Sequence, residues 1–64
     1  MNRVLKKTRT NLGLTQSQIA LKIKINERNY RRIENENADP RTSISLAIAK
    51  VLNSTVEELF SNDK

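Results

Sequence analysis

The sequence contains no cysteine and no histidine. Disulfide bonds, thiolate zinc sites, imidazole metal ligands and histidine general bases are therefore excluded. Glycine and proline occur once each, whereas Leu, Ile, Ala, Lys, Arg and Gln are frequent, and this composition favours helix over strand. A chain of 64 residues has room for one modest core. We therefore expect a single all-α domain, residues 1–64, stabilised by packing alone or with the help of dimerisation.

Long apolar runs are also missing, because none approaches the roughly 20 residues that span a bilayer. The start, Met1-Asn2-Arg3, lacks a charged region followed by an apolar stretch of signal-peptide length. We therefore expect a cytoplasmic protein with no membrane partner. Catalysis would need a pocket and reactive groups that a chain without His, Cys or a Gly-rich phosphate loop does not offer. We expect no enzyme, no catalytic residue, no metal, no cofactor and no small-molecule ligand.

Charge is distributed unevenly along the chain. Residues 1–32 carry nine Lys or Arg and one Glu, a net charge of +8, whereas residues 42–64 carry two Lys and three acidic residues, a net charge of −1. A basic half on a domain with a pI near 10.1 attracts a polyanion, and double-stranded DNA is favoured because no long basic amphipathic helix suggests a membrane surface. A merely solvated surface is the alternative reading of the charge.

Turn and cap signals divide the chain into five short helical segments. The first, at about residues 2–12, ends at Gly13, which can form a left-handed C-cap. The second opens with Thr15, and Gln18 completes a capping box. The third begins at Asn26, a favourable N-cap, so that only a tight connection separates two short helices. Helices joined in this way cross steeply, as in a helix-turn-helix.

The last two segments follow a polar loop and Pro40. Thr42 or Ser43 can cap the fourth, residues 43–52, which is apolar almost all round and must be central or share a face with a partner. The fifth, residues 56–60, opens with another capping box. Its apolar side chains and one from the fourth segment are the expected surface of a homodimer, or of a complex with another protein: Leu46, Val56, Leu59 and Phe60.

The third segment presents a polar face of planar donors. Helical periodicity that turns its apolar pair, Tyr30 and Ile33, inward places Arg28, Arg32 and Asn35 on the opposite side. Arginine can bind guanine bidentately, asparagine can bind adenine in the same way, and a helix fits the major groove. An arginine face that only keeps an exposed helix soluble is the alternative.

An ordered set of motifs resembles the helix-turn-helix family of phage repressors and Cro proteins. The set comprises residues 12–20 (LGLTQSQIA), Ile33-Glu34, Pro40 six residues after that Glu, residues 48–53 (IAKVLN) and residues 56–60 (VEELF). The resemblance implies a compact five-helix, lambda-repressor-like domain. It places the motif helices at about 16–23 and 27–34, and the second of these would be the recognition helix.

The resemblance also implies roles for individual residues. Gln16 would hold a DNA phosphate and brace the recognition helix, and Arg9 would form a structural salt bridge with Glu34. The full set of implied DNA-binding residues is Gln16, Glu27, Arg28, Asn29, Arg31, Arg32, Asn35 and Arg41. Among these, Asn35 and Arg41 would contact the DNA backbone, and Glu27 would repel phosphate unless it accepts from cytosine N4.

Two departures from the family pattern concern turns, because Lys24 and Glu36 stand where glycine is frequent. The function implied is a sequence-specific transcriptional regulator, most simply a homodimeric repressor that covers a palindromic operator. The alternative is a protein-interaction module, such as an antitoxin or antirepressor, whose main partner is another protein.

Overall fold

The computed structural model describes residues 1–60, and residues 61–64 of the predicted domain lie outside this range. The described chain is built from helices α1 (Arg3–Asn11), α2 (Gln16–Ile23), α3 (Glu27–Asn35), α4 (Thr42–Val51) and α5 (Val56–Phe60). The predicted all-α, five-helix architecture is confirmed. None of the helices in this range is long and apolar enough to cross a membrane.

Local signals mark the end of α1 and the starts of α2 and α3. The Thr15 hydroxyl accepts from the Gln18 backbone N–H at 3.0 Å, and the Gln18 carboxamide oxygen accepts from the Thr15 N–H at 2.9 Å. Asn26 accepts from the N–H of Asn29 at 2.8 Å. Gly13, which follows the C-cap residue Leu12 of α1, has the positive φ of +73° that the sequence led us to expect. Each of these signals acts over three residues or fewer, which is why the sequence alone revealed them.

The start of α4 differs from the prediction. Arg41 is the N-cap and makes no side-chain capping bond, while Thr42 already lies inside the helix. Neither Thr42 nor Ser43 therefore acts as the cap. The Ser45 hydroxyl donates to the Thr42 carbonyl at 2.9 Å, which satisfies a buried polar side chain within the first turn.

Every helix contributes to one core. Its fully buried side chains come from all five helices, and they are Leu5, Ile19, Tyr30, Ile48 and Leu59. Helix α2 packs against both α3 and α4, and α5 closes the core against α1 and α4. This packing leaves the side of α3 opposite Tyr30 and Ile33 facing outward, which is the side predicted to bind DNA.

The expected dimer surface needs one correction. Leu59 is fully buried in the monomer, where it belongs to the hydrophobic core. Its side chain is therefore not available to a partner. Leu46 is 57% exposed, and Val56 and Phe60 are partly exposed. The remaining three residues can therefore still form an interface, whereas Leu59 is a core residue.

The turn between α2 and α3 contains the first departure from the family pattern. Lys24 adopts the left-handed conformation, with φ +63° and ψ +41°, and the chain then returns through a bond from Ile25 N–H to the Ala20 carbonyl at 3.0 Å. A side chain in this region costs roughly 1–2 kcal/mol. After α3, Glu36 keeps a negative φ of −111°, and Asn37 takes the left-handed conformation with φ +55°. Asparagine tolerates that region better than most residues, so the second departure requires little strain.

Asn2 ties the end of α3 to two other helices. Its backbone N–H donates to the Glu34 carbonyl at 2.8 Å, and its Nδ2 donates to the Leu59 carbonyl at 2.7 Å. Its Oδ1 accepts from the Leu5 N–H at 3.0 Å and caps α1. Because Asn2 is buried, these bonds fix the carboxyl end of α3 against α1 and α5.

Candidate nucleic-acid interface

A buried carboxylate lies directly behind the outward face of α3. Glu34 is fully buried, and Oε1 accepts from Arg9 Nε at 2.9 Å and from the Tyr30 hydroxyl at 2.7 Å. Oε2 accepts from the Arg9 guanidinium at 2.9 Å and from Gln16 Nε2 at 3.1 Å. Two donors therefore meet each oxygen, and the arginine pair is bidentate, the arrangement that gives such pairs both strength and fixed geometry.

The charges in this cluster stabilise one another. Burial by itself raises the pKa of Glu34, but hydrogen bonds from Arg9 and Tyr30 and the positive charge of Arg9 outweigh it, so that the net pKa is lowered. The hydrogen bond to Glu34 raises the pKa of Arg9 despite burial. Burial, followed by the bond to Glu34, raises the pKa of Tyr30, which stays a neutral donor. Glu34 is consequently ionised and Arg9 charged throughout the neutral range.

Arg9 also joins the two motif helices to α1. In addition to its bonds with Glu34, it donates to the Leu14 carbonyl at 2.6 Å, just before α2 begins. One side chain of α1 therefore holds the start of α2 and the carboxyl end of α3 together. The salt bridge that the family resemblance implied is present in the structure, and it is buried.

The outward face of α3 carries three of the DNA-binding residues that the family resemblance implied. Arg28, Asn29 and Arg32 are all exposed. Asn29 and Arg32 line one shallow depression together with Pro40 and Arg41, so the loop before α4 brings a further guanidinium next to α3. The structure thus places Arg41 beside the recognition helix despite its distance in sequence.

Two ion pairs modify this face. Arg31 bonds to Glu27 at 3.0 Å, with about half of each side chain exposed, and Arg32 lies 3.8 Å from Glu36. Exposed pairs of this kind contribute less than about 1 kcal/mol. A phosphate can therefore compete for either arginine, and Glu27 has a partner within its own helix rather than needing a cytosine.

Gln16 occupies the junction between α2 and α3. Its Nε2 donates to Glu34 Oε2 and, at 3.3 Å, to Asn35 Oδ1. The side chain thus braces the recognition helix, as the resemblance implied. Gln16 is also the first residue of α2, where backbone N–H groups have no intrahelical acceptor and attract anions. A phosphate contact at this position remains a prediction.

Sequence reasoning missed two members of the supporting structure. The sequence predicts Tyr30 only as an inward apolar residue, although its position four residues before Glu34 places both on one side of the helix, which is the available signal for their bond. Asn2 gave no signal, since its partners Glu34 and Leu59 lie far away in sequence.

The arrangement as a whole is a pair of helices, joined by hydrogen bonds to the buried Glu34 carboxylate, that presents guanidinium and amide groups on one exposed face. A helix of this diameter enters the major groove, and planar donors on its outer side reach base edges and phosphates. A model of the helix-turn-helix family matches residues 5–59, which include all the motif residues described above except Phe60. No curated protein matches the chain. The chain therefore belongs to the helix-turn-helix family of the phage-repressor and Cro type, and it is a DNA-binding transcriptional regulator.

Proposed function

We propose that this regulator is a repressor that binds a palindromic operator as a homodimer and acts in the cytoplasm. A dimer on promoter DNA blocks polymerase by occupying its site, and no catalytic step is needed. The observation that carries the proposal is the exposed face of Arg28, Asn29 and Arg32, supported from behind by the buried Arg9–Glu34 pair. Such support keeps the reading residues within the narrow geometry that base recognition demands.

The dimer part of the proposal rests on apolar surface outside α3. Leu46 exposes 57% of its surface, and Val56 and Phe60 are partly exposed. A symmetric pair of domains places its two recognition helices in successive major grooves, about one helical turn apart, so the operator would have matching half-sites. Leu46→Glu should weaken self-association and, because both half-sites must be held together, lower operator affinity. Leu21→Glu, the same change at a leucine of α2 that is 78% exposed, controls for charge.

The decisive experiment starts with selection of bound duplexes from a random pool, followed by titration of the selected duplex at several salt concentrations. We expect a palindrome with half-sites about one turn apart and two protomers per duplex. If about five to eight phosphates are neutralised per dimer, log affinity should fall against log salt with a slope of roughly −5 to −7. A slope near zero would rule out DNA as the main ligand, and a single protomer on an asymmetric site would rule out the dimer.

A second candidate function uses the same apolar residues to bind a different protein, as an antitoxin or antirepressor does. The exposure of Leu46 favours it as much as it favours a homodimer. Sedimentation of the purified chain separates the two readings. Self-association that Leu46→Glu abolishes supports the homodimer, whereas a monomer at all concentrations, both free and on DNA, favours a protein partner.

A further inference from the structure

Three polar side chains form a line from the core of the domain to its DNA-facing surface. Glu34 is fully buried, Gln16 is half-buried and Asn35 is exposed. Gln16 Nε2 lies 3.1 Å from Glu34 Oε2 and 3.3 Å from Asn35 Oδ1. The amide nitrogen of Gln16 therefore donates to both of its neighbours.

The bond between Gln16 and Glu34, at the buried end of this line, can form in only one donor–acceptor direction. An ionised carboxylate can accept hydrogen bonds but cannot donate them. Glu34 is ionised because Arg9 binds both of its oxygens, and it cannot rotate because the Tyr30 hydroxyl occupies Oε1 as well. The group that Gln16 turns toward Glu34 must therefore be its NH2 group.

The direction of the Gln16–Glu34 bond then determines the direction of the bond between Gln16 and Asn35. The carboxamide nitrogen of Gln16 has two hydrogens, of which Glu34 takes one. The second points toward Asn35, so the nearest atom of the Asn35 carboxamide must be an acceptor, its oxygen. The remaining group of Asn35, its NH2, is left to face solvent or a ligand.

We propose that the buried carboxylate of Glu34, acting through Gln16 as a positioning residue, sets the Asn35 carboxamide so that it presents only donors to DNA. The proposal rests on DNA as the ligand of this face. Asn35 ends α3, where the carbonyl groups of the last turn carry partial negative charge. An outward amide oxygen would add to the repulsion of a phosphate there, whereas an outward NH2 group attracts it.

The same constraint decides what Asn35 can recognise. Bidentate reading of adenine needs both the oxygen and the nitrogen of a carboxamide. Because Gln16 occupies the oxygen, Asn35 can donate to a phosphate but cannot read adenine in this way. Asn35 thus contributes affinity on every sequence, whereas Asn29, whose side chain caps nothing and lies exposed on α3, is free to discriminate.

A double-mutant cycle on DNA affinity tests whether Glu34, Gln16 and Asn35 act together. Asn35→Ala should weaken binding about tenfold or more, equally on the operator and on single-base variants, because it removes a donor to a charged phosphate. Gln16→Ala should release the orientation of Asn35 and weaken binding as well. Since the two changes break the same line of hydrogen bonds, the double variant should bind DNA only slightly less tightly than the single variant with the lower affinity. Additive losses, or an Asn35→Ala variant of undiminished affinity, would overturn the proposal.

Side-chain amide NMR of the free protein tests the orientation directly. The NH2 protons of Gln16 should exchange with water more slowly than those of Gln18, whose carboxamide uses its oxygen as the bonded atom. The NH2 protons of Asn35 should exchange rapidly until DNA is added and slowly in the complex. Equal exchange rates for the NH2 protons of Gln16 and Gln18 would overturn the proposal. Absence of DNA binding by the wild-type chain would instead refute the proposed function, and the Gln16 measurement would still decide the amide orientation.

Discussion

Replacement of Glu34 by alanine should be among the most destabilising single changes in the domain. The carboxylate is fully buried and accepts from three side chains. Its removal leaves Arg9, itself only 7% exposed, with a charge that neither water nor another anion compensates. Breaking a buried ion pair in this way costs about 3–5 kcal/mol. A domain of this size is stable by roughly 3–10 kcal/mol in total, so the variant should lose a third or more of its stability.

Urea unfolding followed by circular dichroism measures this loss. The matched control is Glu27→Ala, which removes an exposed carboxylate paired with Arg31 on the same helix and should cost less than about 1 kcal/mol. Arg9→Met keeps much of the aliphatic packing and removes the stranded charge. Combined with Glu34→Ala, it should recover part of the loss. Equal costs for Glu34→Ala and Glu27→Ala, or strictly additive losses in the cycle with Arg9, would refute the view that burial gives this pair its energy.

The loss of stability in Glu34→Ala should also depend on pH, in a direction that the pKa of Glu34 determines. The pKa of Glu34 is lowered in the folded state relative to its ordinary value of 4.5. Its contribution is therefore fully present above about pH 4.5 and is lost as the pH falls below that value through the folded-state pKa. The difference in stability between the wild type and Glu34→Ala should be constant near neutrality and shrink in acid. A difference that grows below pH 4.5 would contradict the assignment.

Two further predictions concern the reading face and the turn that precedes it. Arg28→Ala and Arg32→Ala should each cost about 1–3 kcal/mol on the operator and relax discrimination at one base pair per half-site, whereas Arg31→Ala should weaken all sequences alike. Equal losses on every sequence for all three variants, measured by titration of single-base operator variants, would mean that the reading surface lies elsewhere. Lys24→Gly should raise the free energy of unfolding by up to about 1 kcal/mol, because relief of the left-handed strain exceeds the entropic cost of glycine. Lys22→Gly, inside α2, should lower it by about 1 kcal/mol, and a loss at both sites in thermal unfolding would argue against strain at Lys24.

The sequence determined the parts of the molecule that depend on near neighbours. The capping box of Thr15 with Gln18 and the cap at Asn26 act over three residues, and the outward face of α3 follows from helical periodicity with Tyr30 and Ile33 inside. The capping box expected at the start of α5 forms only by half, because Thr55 accepts from the Glu58 N–H while the Glu58 carboxylate accepts from the Ser54 hydroxyl. The pairing of Arg9 with Glu34 came from the family resemblance, because 25 residues separate them and neither position alone predicts a partner.

Only the tertiary structure decided how distant residues meet. In the five-residue helix α5, periodicity over little more than one turn could not tell that Leu59 faces the core, and the packing of α5 against α1 and α4 settled it. The bonds of Asn2 to Glu34 and Leu59, and the line from Glu34 through Gln16 to Asn35, join elements whose spacing is set by the whole core. The physical reason is that hydrogen bonds require positions accurate to a few tenths of an ångström. Local propensity fixes which residues share a helix face, but only close packing of all the helices fixes the distance between those faces.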